Sequence, residues 1–208
     1  VSHAIVEALR AQIQARAPFL EPSPGAVSGV PDLDELIHGL PLGAVTVLSG
    51  PLGTGGSRIA ARVLATGARA GAPVAWIDGA GTLHPPALAQ EGLELRRLLV
   101  VQRRDARVVQ AFEQILGSGL FAAAVATGIA PWLSPVRMRR IQQAAEVGRR
   151  VALLVLPPPE ARAFTGAALR LGLRGHAPTG EIAVEVEKDR RGRSPGQTGR
   201  IALSAGGG

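Results

Sequence analysis

Apolar residues along this chain fall into two rhythms, short continuous runs and helical stripes, and their alternation predicts a layered α/β fold. The continuous runs are Ala44–Ser49, Val74–Asp78, Leu98–Val101, Phe121–Ala126 and Val151–Leu156. Runs of strand length that do not alternate with polar residues read as strands buried on both faces, as in a mostly parallel sheet with helices against it. Between them, helical spacing predicts helices over Ser57–Ala70, closed by Gly71, over Ala106–Leu116 and over Pro135–Val147, with a helical turn at Leu33–His38. Upstream, Ile5, Leu9 and Ile13 recur every fourth residue within Ala4–Ala15, a short amphipathic helix with Ser2 as its cap, and Pro18–Gly29 reads as a linker. The last part changes character. There Ala167–Leu173, Glu181–Glu187 and Arg200–Leu203 read as antiparallel strands, with Gly192–Gly199 as an exposed turn. The expected organisation is an N-terminal helix and linker over 1–27, then one core over 28–208 ending in a basic hairpin.

Composition narrows the class. A chain of 208 residues suits one hydrophobic core without covalent staples, and with no cysteine a disulfide framework is impossible. No apolar run reaches the roughly 18 residues that span a bilayer, and the N-terminus lacks the layout of a signal peptide, so a soluble, cytoplasmic protein with no membrane partner is expected. The net charge of +7 is unevenly placed. Through Pro135 ten arginines face ten carboxylates; from Val136 onward thirteen cations face six, so the whole excess lies in the C-terminal third, where it could meet phosphates or an acidic partner.

Candidate chemistry begins at Ser49–Ser57, Ser-Gly-Pro-Leu-Gly-Thr-Gly-Gly-Ser. This fits the phosphate-loop pattern G-x-x-x-x-G-K-[ST] except that Gly56 stands in the lysine position. In a working loop backbone N–H groups wrap the phosphates at a helix start, the lysine bridges the terminal phosphates and the hydroxyl holds magnesium. Gly50, Gly53, Gly55, Gly56 and Ser57 form a degenerate nucleotide loop, expected not to function. The chain has a single lysine, Lys188, far away in sequence, and the one nearby cation is Arg58, a poor geometric substitute for an ammonium. A glycine-rich strand-to-helix turn with no phosphate role is the competing reading.

Ser28-Gly-Val-Pro-Asp-Leu-Asp-Glu-Leu36, then Gly39-Leu-Pro-Leu-Gly43, an apolar strand and the Gly50–Ser57 loop together resemble the entry to the RecA-type ATPase core. The resemblance runs from about Ser28 to Leu203. Carried over position by position, it implies losses in independent elements. Ala80 stands where the glutamate that activates water is expected, and Thr127 where the magnesium-positioning aspartate is expected. His84-Pro-Pro-Ala87 replaces a segment whose aspartate and tyrosine hold adenine, and Pro158 stands where a glutamine senses the terminal phosphate. With activation, metal seat and clamp all missing, the resemblance implies no catalytic residue, no bound metal and no cofactor: a pseudo-ATPase. Asp78 survives, either as a catalytic carboxylate or, the favoured role, as a strand-end anchor hydrogen-bonded to nearby backbone.

Among RecA-like proteins lacking these groups the chain resembles the ImuA family, through its short N-terminal helix, compact core and basic C-terminal hairpin. That resemblance implies a non-catalytic adaptor in SOS-type translesion DNA synthesis. Its implied partners are an ImuB-like polymerase homologue and an error-prone polymerase, with RecA as a further candidate. Ile5, Leu9 and Ile13 would dock on a partner or pack on their own core. Lys188, Arg190, Arg191, Arg193 and Arg200 are candidate phosphate contacts for weak, sequence-independent DNA binding, or a solvated charged hairpin. Of the aromatics Phe19, Trp76, Phe112, Phe121, Trp132 and Phe164, the three expected at core positions are Trp76, Phe112 and Phe121, which argues against base stacking. Two alternatives stay open: a recombination regulator acting on RecA alone, and an atypical NTPase using Arg58.

Overall fold

The computed structural model describes residues 25–175 and 181–203, so the Ala4–Ala15 helix with Ile5, Leu9 and Ile13 lies outside the described residues. In chain order the elements are α1 (Pro31–Ile37), β1 (Ala44–Ser49), α2 (Gly56–Arg69), β2 (Val74–Asp78), α3 (Pro85–Gln90), β3 (Leu98–Gln102), α4 (Arg107–Ser118), β4 (Ala123–Thr127), α5 (Pro135–Gly148), β5 (Val151–Leu156), α6 (Pro158–Ala163), β6 (Leu169–Gly175), β7 (Glu181–Asp189) and β8 (Thr198–Ala202). The strands form one eight-stranded sheet in the order β3-β2-β4-β5-β1-β6-β7-β8. Pairing is parallel from β3 through to β6 and antiparallel for β6–β7 and β7–β8.

Period-two alternation assigns the strands' side chains to two cores. On one face Val45, Val47, Ile77 and Leu154 pack with Val109 and Phe112 of α4 and Ile141 of α5. On the other, Leu48, Trp76, Val125 and Leu153 pack with Ile59 and Leu64 of α2, and the same core continues without a break into Leu171, Leu173, Ile182, Val184 and Leu203. The C-terminal strands therefore close the same core as α2. Helix ends follow local rules: Pro135 opens α5 beneath Ser134, whose Oγ accepts from Arg137 N at 3.3 Å, and α4 stops at the left-handed Gly119.

Several expectations need correction. Residues 25–29 of the expected linker are fastened to the core, though Val27 stays exposed: Ala26 pairs with Leu40 in an antiparallel bridge, and Ser28 is buried with its N–H donated to Asp34 Oδ1 at 2.8 Å. The strand at Leu98–Val101 is an edge, with Leu99 43% and Val100 39% exposed, because an apolar run looks the same whether one neighbour or two lies beside it. The strand read at Ala167–Leu173 is not wholly antiparallel. The α6 crossover returns the chain in the direction of β1, so β6 pairs parallel with β1 and antiparallel with β7. Two short helices, α3 and α6, each with proline in the first turn, were not foreseen. No helix among the described residues is long and apolar enough to cross a membrane.

Candidate functional site

The loop after β1 is a glycine-rich turn that runs straight into the start of α2. Thr54 Oγ1 donates to Pro51 O at 2.8 Å, Gly55 turns with φ +88°, and α2 starts at Gly56 with Arg58 N and Ile59 N both donating to Gly55 O. Pro51, Leu52 and Gly53 are exposed and so is Ser57, whereas Thr54, Gly55 and Gly56 are buried. The loop residues read from the sequence, Gly50, Gly53, Gly55, Gly56 and Ser57, thus sit together at the carboxyl end of β1.

The inner wall of that loop is apolar. A Cβ placed on Gly55 would lie 2.2 Å from Ile182 Cδ1 and 3.7 Å from Leu203 Cδ1. One placed on Gly56 would lie 3.1 Å from Val155 Cγ1 and 3.4 Å from Leu173 Cδ1. Side chains from β5, β6, β7 and the residue after β8 therefore close on the segment where a lysine stem would start. Sequence reasoning missed this wall. The alternation of Ile182, Val184 and Val186 marked an inward face without saying what it would cover.

Arg58 is held elsewhere. Its Nε lies 2.5 Å from Glu91 Oε1 and its Nη2 donates to Leu203 O at 2.9 Å, while Arg62 Nε lies 2.7 Å from Glu91 Oε2. Glu91 has a side chain only 8% exposed and is clamped between the two guanidiniums, a geometry in which removing one charge strands the others.

The ends of β2 and β4 complete the neighbourhood. Thr127 Oγ1 accepts from the indole Nε1 of Trp76 at 3.1 Å, and Trp76 is 2% exposed, so the residue in the expected metal position satisfies a core tryptophan. Asp78 is completely buried. Its carboxylate accepts from Ala80 N (3.1 Å), Gly81 N (2.9 Å), Leu83 N (2.8 Å) and Gln102 Nε2 (3.2 Å), which makes it the anchor of the turn after β2. Ala80 follows on the surface, with its N–H spent on Asp78; a Cβ on Gly128 would lie 2.6 Å from Ala80 N, so the β2 and β4 turns are in direct backbone contact. Pro158 opens α6 immediately after β5. Among the described residues no group of three or more His, Asp or Glu is placed to hold a metal ion.

The hairpin cations do not form the single patch that their sequence order suggested. Arg191 is turned inward: it pairs with Asp189 (Nε–Oδ1 3.0 Å) and donates to Gly39 O (2.6 Å) and Ile37 O (2.9 Å), capping the end of α1, with Arg193 Nη1 at 3.3 Å from His38 O. Burial works against the Asp189 carboxylate, but the side-chain and backbone hydrogen bonds from Arg191, its charge and the Ser194 N–H outweigh it and hold its pKa below the usual aspartate value. Ser194 is itself buried, inside a turn read as exposed. Lys188 and Arg190 lie on the other side of the hairpin, both donating to Thr165 O, and Arg200 is 83% exposed with Glu181 4.0 Å away.

No family model matches this chain, and no curated protein matches it in sequence. A solved structure does match in three dimensions, the crystal structure of the RadB recombinase, with TM-score 0.72 and 19% sequence identity over 86% of this chain and 96% of that one. At that identity the likeness establishes the architecture alone: a RecA-like α/β core with a mostly parallel central sheet, flanking helices and antiparallel C-terminal strands.

Proposed function

We propose that this chain is a non-catalytic RecA-like adaptor that supports damage-tolerant DNA synthesis through protein contacts, as its resemblance to the ImuA family implies. The observation that carries the pseudo-ATPase part is the apolar wall of Val155, Leu173, Ile182 and Leu203 against Gly55 and Gly56. A site for a triphosphate concentrates positive charge and metal ligands; this one concentrates branched aliphatic side chains. The Thr127–Trp76 hydrogen bond supports the same reading, because the position that would seat magnesium is engaged in core packing.

The decisive experiment is calorimetric titration of the full chain with magnesium-ATP at protein concentrations that reveal millimolar affinity. Absence of saturable heat is expected, and saturable heat overturns the pseudo-ATPase reading. The partner part is tested by pull-down against an ImuB-like protein and RecA: binding to RecA alone would replace the translesion reading with a recombination regulator. The atypical NTPase is the weaker alternative, since Arg58 would have to leave Glu91 and the Leu203 carbonyl before it could reach a phosphate.

A further inference from the structure

Three cations converge where the chain passes from α6 into β6. Lys188 Nζ donates to Thr165 O at 2.7 Å and Arg190 Nη2 to the same oxygen at 2.9 Å. Arg170 Nη2 reaches Phe164 O at 3.3 Å and Arg162 O at 3.5 Å, while its Nε is buried without a hydrogen-bond partner. Arg170 and Lys188 stand directly opposite each other in the β6–β7 ladder, a like-charge pairing that sheets ordinarily avoid. Among the described residues no carboxylate forms an ion pair with any of the three. Glu187 has its carboxylate over Gly172 on this face and Glu185 pairs with Arg174, so the acidic groups here border the cluster without neutralising it.

Capping of carbonyls does not account for so much charge. A helix C-terminus presents about half an elementary negative charge, less for a single short turn, against three full positive charges. Burial, then Arg190 and Arg170, push the Lys188 ammonium below the usual lysine range, a sign of how closely the charges crowd. Most of the N–H donors on these three side chains remain for a ligand rich in acceptor oxygens.

We propose that Arg170, Lys188 and Arg190 form a phosphate-oxyanion site, separate from the degenerate nucleotide loop, that grips the phosphodiester backbone of a nucleic acid strand. The residues are partly exposed along an open sheet face rather than enclosed, which suits a polymer passing over them. Phe164, the adjacent aromatic, is fully buried and offers no stacking surface, so contact is to backbone and independent of sequence. The site differs from the one expected from the hairpin sequence: Arg170 joins it, while Arg191 and Arg193 leave it for the carbonyls at the end of α1.

The test is fluorescence anisotropy of a labelled single-stranded oligothymidylate titrated with the full chain at several salt concentrations, with inorganic phosphate as competitor and, separately, as a ligand followed by NMR shifts of Lys188 and its neighbours. K188Q/R190Q is expected to weaken oligonucleotide binding about tenfold and to reduce the salt slope by about 1.4, two single-strand phosphate contacts. R139Q/R140Q, which removes the same charge from α5, is expected to change affinity less than threefold. K188R, which keeps the charge, guards against loss of fold and is expected to bind like the parent. Phosphate binding that K188Q/R190Q abolishes, without oligonucleotide binding, would retain the oxyanion site and assign it to free phosphate. Equal loss in the two double variants, or no binding of either ligand by the parent, overturns the proposal. None of these outcomes depends on ATP binding or partner capture, so the adaptor reading stands or falls separately.

Discussion

Replacing Gly56 by lysine puts a cation where the family resemblance places one, and the structure supplies both a stability and an activity expectation. The new Cβ would lie 3.1 Å from Val155 Cγ1, inside the about 3.5–4.0 Å of ordinary carbon contacts. Overpacking of this kind costs about 1–3 kcal/mol. Removing a helical glycine returns about 0.5–1 kcal/mol, and lysine is a good helix former. The net change runs from near zero to about 2.5 kcal/mol of destabilisation, a Tm fall of no more than about 10 °C for a chain of this size. Trimming the clash with V155A should make the pair couple favourably, by about 0.5–2 kcal/mol relative to the sum of the single variants. For activity, restoring one electrostatic group is worth about 3–4 kcal/mol of transition-state stabilisation, whereas even a modest enzyme needs about 8 kcal/mol. On the proposed pseudo-ATPase reading, Ala80 and Thr127 supply neither a base nor a metal seat to make up the difference. Phosphate release measured with excess magnesium-ATP should therefore stay at the buffer rate in G56K and in G56K/V155A. Saturable hydrolysis in either variant refutes the reasoning.

T127V should cost about 1–3 kcal/mol in urea unfolding, since it leaves the buried Trp76 indole N–H unpaired, while T127S should be close to the parent. D78A should destabilise by about 3 kcal/mol or more, because three backbone donors and Gln102 lose their acceptor together; near-parent stability would show that water replaces the carboxylate without cost. Asp189 has a folded-state pKa below its unfolded value of about 3.9, so the stability it contributes is present above that pH and is lost as pH falls through the folded value. Denaturation midpoints measured from pH 6 downward should lose part of their acid dependence below about pH 4 in D189N, and an unchanged profile would remove Asp189 from the linkage.

The sequence by itself determined the elements and their class. The apolar runs at Ala44–Ser49, Val74–Asp78 and Val151–Leu156 became strands with the same bounds, and Ser57–Ala70 and Pro135–Val147 became helices displaced by no more than one residue at each end. These features depend on spacing within a few residues, on prolines at helix starts and on glycines past helix ends, all of which are local. The turn-anchoring role of Asp78 was legible for the same reason, since the backbone N–H groups that donate to it lie within five residues. What only the tertiary structure decided is which distant segments meet. The exposed edge at β3 reads like a buried strand because periodicity reports apolarity and not the number of neighbours. The direction of β6 depends on the α6 crossover, and the opposing destinations of Arg190 and Arg191 depend on where the hairpin lies between α1 and α6. The wall behind Gly55 and Gly56 is assembled from β5, β6, β7 and the residue after β8, with no local signal for one another, brought together because one continuous core had to close over the start of α2.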